Sequence, residues 1–232
     1  MSVAADAALR GGAPVRRLVL YAVSSPLVVD AEESCARAGI AIVAGVRNVD
    51  ADAHTSAAVR VIAPDEVTDA ERACPVLVVL FTPGHRRHAM EEALRAGFSG
   101  AATVVDPTAT IARSVSLGAG VYVNAASVIA GACELSDYVL VNRSASVGHN
   151  ARIGTYASIG PGVVLAGNVT IGRGAMIGAG AIVLPQVEIG ANAVVAAGSV
   201  VRHSVPANTL AAGNPCRIAR AAIAGYKDLS IP

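Results

Sequence analysis

The sequence predicts a small parallel α/β domain followed by a parallel β-helix and a short tail, and three observations carry that fold class. Every sixth residue from Val105 to Val201 is a branched aliphatic, seventeen in succession without a slip. Four residues after each stands a compact one, as in Ala109, Ser127, Cys133, Ala145, Ala157, Ala175 and Ser199. An α-helix repeats about every 3.6 residues and a lone strand about every two, so neither produces this register. A fixed short beat is the pattern of coils that bury their aliphatics only by stacking on the next coil. Second, upstream of residue 100 apolar runs alternate with helical stretches, the signature of a parallel sheet with crossover helices. Third, the first hundred residues carry 12 acidic and 10 basic side chains, whereas 101–206 hold nine charged residues in all, which places the domain boundary near Gly100.

Taken in order, residues 1–15 read as a flexible lead rich in Ala and Gly. The α/β domain spans 16–100. Its first strand is expected over 17–22, a helix over 28–38 ending at Gly39, and a second strand over 40–44. A third strand is expected over 76–81, and after Pro83-Gly84 a helix over 86–96 that stops at Gly97. The β-helix covers 101–206 with almost no linker before it. The period ends after Pro206, and the tail, 207–232, is expected to turn helical over 217–226.

Composition excludes several partner classes. Lys+Arg 18 against Asp+Glu 17, with Lys227 the only lysine, cannot build the basic face that grips a phosphate backbone. No apolar run approaches the ~20 residues of a membrane span, and the first residues lack the apolar stretch of a signal peptide. A cytoplasmic protein is therefore expected. Cys35, Cys74, Cys133 and Cys216 are far apart, without a CxxC pair, and read as small buried hydrophobes.

Three hexads make one triangular coil of 18 residues, so residues 18 apart lie one above another at a strand spacing of about 4.8 Å. His149 follows the inward Val147 and points outward, and 18 residues on stands Gly167. A candidate base thus lies one coil from an unshielded backbone N–H, with room between them for one reacting carbonyl. Imidazole suits the task because its free pKa, ~6.5, lies near working pH. His203 falls three coils away in the same column, too far to share a metal or a proton, and His54, His85 and His88 lie in the first domain with structural or solvent roles.

These residues resemble the hexapeptide-repeat acyltransferases, in particular the sialic-acid O-acetyltransferase-like branch that includes nucleotide-amino-sugar N-acetyltransferases. The resemblance covers nearly the whole chain. It is carried by the hexads, by Gly148-His149-Asn150, Ile153-Gly154-Thr155-Tyr156 and Ala166-Gly167-Asn168-Val169-Thr170-Ile171-Gly172, and by the ending Gly213-Asn214-Pro215-Cys216-Arg217. It implies a Rossmann-like first domain for a sugar nucleotide, a left-handed β-helix, a homotrimer, and acetyl-CoA bound between neighbouring subunits without a metal. Residue by residue, it implies that His149 is the general base, Asn150 its orienting partner and Gly167 the N–H donor to the thioester carbonyl. It likewise places Ala179 and Ala197 along the pantetheine arm, Ser158 near the thioester and Asn142 near the sugar's reacting group. Sugar-nucleotide contacts are implied at Ser24 and Ser25 in the first loop and at Arg47 and Asn48 after the second strand.

The departures from the family pattern are specific. Asn150 stands where relatives often carry Asp or Glu, so the partner of His149 brings no charge. Ser158 replaces a second histidine, the loop over 22–27 lacks phosphate-cradling glycines, and Arg47-Asn48 replaces an acidic pair. The first domain is left open to a different nucleotide, a lipid-linked or free sugar, or no ligand. Acetyl transfer from acetyl-CoA to a sugar amine is the leading expectation. O-acetylation of a sugar, a metal-dependent hydratase of the γ-carbonic anhydrase type, and a non-catalytic scaffold are the alternatives.

Overall fold

The computed structural model describes residues 15–232; the flexible lead expected over 1–15 lies, but for Val15, outside the described residues. The first domain runs β1 (Arg17–Tyr21), α1 (Val28–Ala38), β2 (Ala41–Val46), β3 (Val61–Ile62), α2 (Asp69–Arg72), β4 (Val76–Val78) and α3 (Pro83–Arg95). Its four strands are parallel in the order β3-β2-β1-β4. The chain order reverses between β1 and β4, which opens a crevice at their C-terminal ends. The expected third strand ends early, at Val78, because residues 79–82 leave the sheet to meet the second domain. Its helix starts at Pro83 because proline is pre-set for a first helical turn, where its missing N–H costs nothing. The short β3 and α2 were not foreseen, although Thr68-x-x-Glu71 carries a helix-start signature: the Glu71 carboxylate accepts from the Thr68 N–H at 2.7 Å.

Seventeen two-residue strands, from β5 (Val104–Val105) to β21 (Val200–Val201), then wind a left-handed triangular prism, one strand per hexad. The 18-residue register holds throughout, as in Ser146↔Val164 and Val147↔Leu165. The second residue of each strand points inward, giving a column of buried aliphatics that includes Ile129, Leu135, Val147, Ile153, Leu165 and Ile177. Each contributes roughly 1.5–3 kcal/mol on burial, and only because a neighbouring coil covers it.

The three faces differ in chemistry. The domain face presents Val104, Tyr122, Leu140, Ser158, Met176 and Val194, all buried, and the first domain packs on it through Leu18, Leu20, Val28 and Leu77. The polar face presents Ser116, Glu134, Arg152, Thr170 and Glu188. The apolar face presents Thr110, Val128, Ser146, Val164, Ile182 and Val200, of which Val128, Val164 and Ile182 are 46%, 41% and 40% exposed.

The tail departs from expectation. In place of a helix over 217–226, β22 (Leu210–Ala212) pairs with an antiparallel β23 (Arg217–Arg220). The open edge of β22 offers unpaired backbone groups, and strand addition satisfies them where a helix would not. Farther on, the Asn192 side chain holds Ile231 by both its backbone groups, at 2.8 and 3.0 Å. Among the described residues no helix is long and apolar enough to cross a membrane.

A buried polar joint fastens α1 to the first coil. Asp106 accepts from Ser34 Oγ at 2.7 Å, from Arg37 Nη2 at 2.7 Å and from Thr108. Burial pushes its carboxyl up, but these donors together outweigh that and hold it at about 2. A carboxylate depressed in the folded state stabilises the fold above its unfolded pKa and loses that contribution as pH falls through the folded one. Wild type should therefore lose melting temperature from about pH 4 down to about pH 2, and Asp106→Asn should flatten that part of the curve in calorimetric scans.

Candidate functional site

The edges of the prism, where each coil turns between faces, carry the candidate site. His149 and Gly167 lie one coil apart on the edge between the apolar and polar faces, as their strands' register requires. His149 is exposed, and its Nδ1 lies 2.9 Å from Asn150 Oδ1. An amide oxygen only accepts, so this bond calls for the hydrogen on Nδ1, the tautomer that in a neutral ring leaves the lone pair on Nε2. Asn150 holds a φ of 59°, the left-handed conformation demanded at the second residue of a corner, which Asn tolerates better than most residues with a Cβ.

Gly167 has to lack a side chain: a Cβ there would stand 2.6 Å from His149 Nε2 and 2.7 Å from Cε1. Gly148 leaves the peptide between Ala166 and Gly167 bare, since a Cβ would come within 2.8 Å of Gly167 N. Among the described residues the Gly167 N–H makes no backbone hydrogen bond. The arrangement differs in one respect from the arithmetic. The ring lies against the Gly167 α-carbon, leaving no gap between them for a carbonyl, so a reacting group meets lone pair and N–H from the open side of the edge. Chemically, a neutral imidazole beside a free N–H donor can take up a proton while an oxyanion gains a partner.

Asn142, Ala179 and Ala197 gather on a different edge, between the domain and apolar faces. There Asn142 Oδ1 accepts from Asn124 Nδ2 at 3.1 Å and from Arg143 N at 2.8 Å, while Asn124 Nδ2 and Arg143 Nη1 both donate to Asp30 Oδ2. Asp30, Asn124 and Arg143 were missed from the sequence, although Asn124 and Asn142 stand 18 apart and could have been paired by register.

The structure does not bring Ser158 to this region. It is fully buried on the domain face, accepting from Arg86 Nη1 at 3.0 Å and donating to Phe81 O at 2.6 Å, so its hydroxyl is spent between domains and cannot meet a thioester. In the crevice, Ser25 Oγ donates to Val79 O at 3.0 Å and accepts from Leu27 N, which shapes the loop itself. Ser24 is half-buried beside it and Arg47 is exposed. Asn48 Nδ2 donates to Glu92 at 2.8 Å, and its buried Oδ1 lacks a partner, as does the Tyr21 hydroxyl nearby. No three His, Cys, Asp or Glu side chains converge as a metal-ligand set among the described residues.

The family model for the bacterial transferase hexapeptide (six repeats) matches residues 168–203. Among solved structures, the fold is similar to PerB from Caulobacter crescentus in complex with CoA and GDP-perosamine, with 30% identity over 90% of this chain and 99% of that one and a TM-score of 0.77. The chain belongs to the hexapeptide-repeat acyltransferases. Within that family it is also similar to the acetyltransferase domain of PglB from Neisseria gonorrhoeae in complex with acetyl coenzyme A, with 27% identity over 88% of this chain and 99% of that one and a TM-score of 0.77. WeeI from Acinetobacter baumannii shares the fold at 22% identity, 87% and 99% coverage and a TM-score of 0.72. A search of curated proteins finds no sequence match. In this hexapeptide-repeat acyltransferase the edge beside His149 is left open by two glycines, Gly148 and Gly167. Gly167→Ala should push the exposed ring off Asn150 with little loss of stability, because the added methyl meets only the far end of the His149 side chain. A crystal structure of the variant with the His149–Asn150 bond intact would contradict this.

Proposed function

We propose that the chain transfers an acetyl group from acetyl-CoA to the amino group of a nucleotide-linked amino sugar, in one displacement with His149 as general base. The observation that carries the reading is the His149 ring, tied through Nδ1 to Asn150 with Nε2 against Gly167 on an exposed edge. The acyl donor and the substrate class are supported by the full-length likeness to proteins solved with CoA and GDP-perosamine or with acetyl coenzyme A.

The amine nitrogen attacks the thioester carbonyl carbon while His149 Nε2 takes the proton it sheds. The Gly167 N–H faces the oxyanion, an interaction worth about 10²–10³ in rate in comparable sites. Collapse breaks the C–S bond, the thiolate takes the proton back from the imidazolium, and amide and free CoA leave. An uncharged partner at Asn150 favours an amine over a sugar hydroxyl as acceptor, because the nitrogen attacks through its own lone pair and then sheds an acidic ammonium proton, whereas a hydroxyl needs a stronger base to become a nucleophile.

The site requires more than one subunit in this reading. His149 and Gly167 occupy one edge of the apolar face, and Asn142, Ala179 and Ala197 occupy the other, a full side of the triangle away, with Ala179 and Ala197 exposed. The first domain covers the domain face and the polar face suits water, so the exposed Val128, Val164 and Ile182 mark the surface where a copy docks. A head-to-tail contact that closes by a three-fold rotation brings the His149 edge of one protomer to the Ala179 edge of the next. The assembly is thus a homotrimer with three sites between subunits.

His149→Ala should lower kcat by about 10²–10⁴-fold, the usual worth of a general base, with an unchanged melting temperature; near-normal thiol release in the coupled assay would overturn the role. Co-expressing His149→Ala chains with Ala179→Trp chains, each inactive alone, should restore part of the activity, since mixed trimers contain sites built from two intact edges. Activity that stays at background in such mixtures rules out the intersubunit site.

A further inference from the structure

The domain face carries Ser158 in its outward column, and opposite it one cation, Arg86, in the first turn of α3. Arg86 is 2% exposed. Its Nε donates to Tyr138 O at 3.0 Å, its Nη2 to Tyr156 O at 2.7 Å and to Ala157 O at 3.1 Å, and its Nη1 to Leu80 O, to Phe81 O and to Ser158 Oγ. All six acceptors are neutral. Burial without a carboxylate pushes the guanidinium down to about 9. A charge kept in such a place has to be held by geometry, and five N–H donors in a rigid fork are what let one side chain bind two domains at once.

What the fork holds is residues 79–82, the segment that leaves the C-terminal end of β4 and forms one wall of the crevice. The opposite wall is tied to it, since Ser25 Oγ donates to Val79 O. Phe81 is packed from the other side by Met176, Val194 and Ile223. The first domain is therefore moored at both edges of the face beneath it: by Asp30 to Asn124 and Arg143 at one, and by Arg86 to Tyr138 and Tyr156 at the other.

We propose that Arg86 is a positioning residue for acyl transfer, which touches neither the acyl donor nor the sugar but fixes the crevice wall, and with it the acceptor amine, at one height on the prism. This rests on the amino-sugar reading above. The acyl donor lies along prism edges that Arg86 does not reach, so the two substrates should respond differently to its loss.

The experiment is steady-state kinetics of the full chain with each substrate varied, for Arg86→Met, Arg86→Lys and Ser158→Ala. For Arg86→Met the expected result is a fall of at least about tenfold in kcat/KM for the amino sugar with KM for acetyl-CoA within about twofold of wild type. Arg86→Lys, which keeps the charge but not the fork, should recover part of the loss, and Ser158→Ala should show the same split in milder form. Equal losses toward both substrates, or a lowered melting temperature with intact kinetics, would overturn the proposal. If Arg86→Met does not fold, the split in Ser158→Ala decides. If wild type acetylates no amino sugar, the reading of function falls, and amide exchange of residues 79–82 judges the mooring separately: faster exchange in Ser158→Ala supports it and unchanged exchange removes it.

Discussion

The structure depends on one constraint: no coil of the prism has an interior of its own. Val147 is covered because Ile129 and Leu165 lie above and below it, and the same holds for every inward aliphatic until the period ends. That requirement uses two positions of each hexad and leaves the outward ones free, so neighbouring faces take different tasks without disturbing the interior. One face is buried under the first domain, one is polar, and one is apolar and bare. The candidate chemistry sits on the edges because only there does a side chain leave the prism beside an uncommitted N–H.

The edges impose a second condition. At each corner from Gly120 to Gly198 one residue takes a left-handed φ, as Ala126, Ser144, Asn150, Tyr156 and Asn168 do. Asn150 thus answers to two demands, the corner conformation and the His149 ring, and asparagine meets both: its short amide tolerates the conformation and reaches the neighbouring imidazole.

The prism and the pairing of His149 with Gly167 were legible in the sequence because a periodic fold turns spacing into distance. The same rule found Ala179 over Ala197 and could have found Asn124 over Asn142. The resemblance misled at Ser158, whose register says only which face it occupies; what covers it is Arg86, 72 residues away in a domain without a period. The join of Asp30 to Arg143 spans 113 residues and was beyond reach for the same reason. In the tail, local propensity suggested a helix over 217–226, and the open edge of β22 overrode it.

A stack of identical coils has no natural end, and an uncovered last coil would invite the first coil of another molecule to continue it. At the upper end the chain enters the first coil straight from the first domain, where Val76 bridges to Ala101, and the inward Val105 and Ile111 are half-buried. At the lower end β23 runs antiparallel to β22, so the ladder of the longest sheet finishes with a strand of the wrong direction for a further parallel coil. That strand is fully exposed and carries Arg217 and Arg220, and charge on an edge strand repels the approach of another. The short reversal that upset the expected helix thus ends that sheet with a strand on which no further parallel coil can be laid in register.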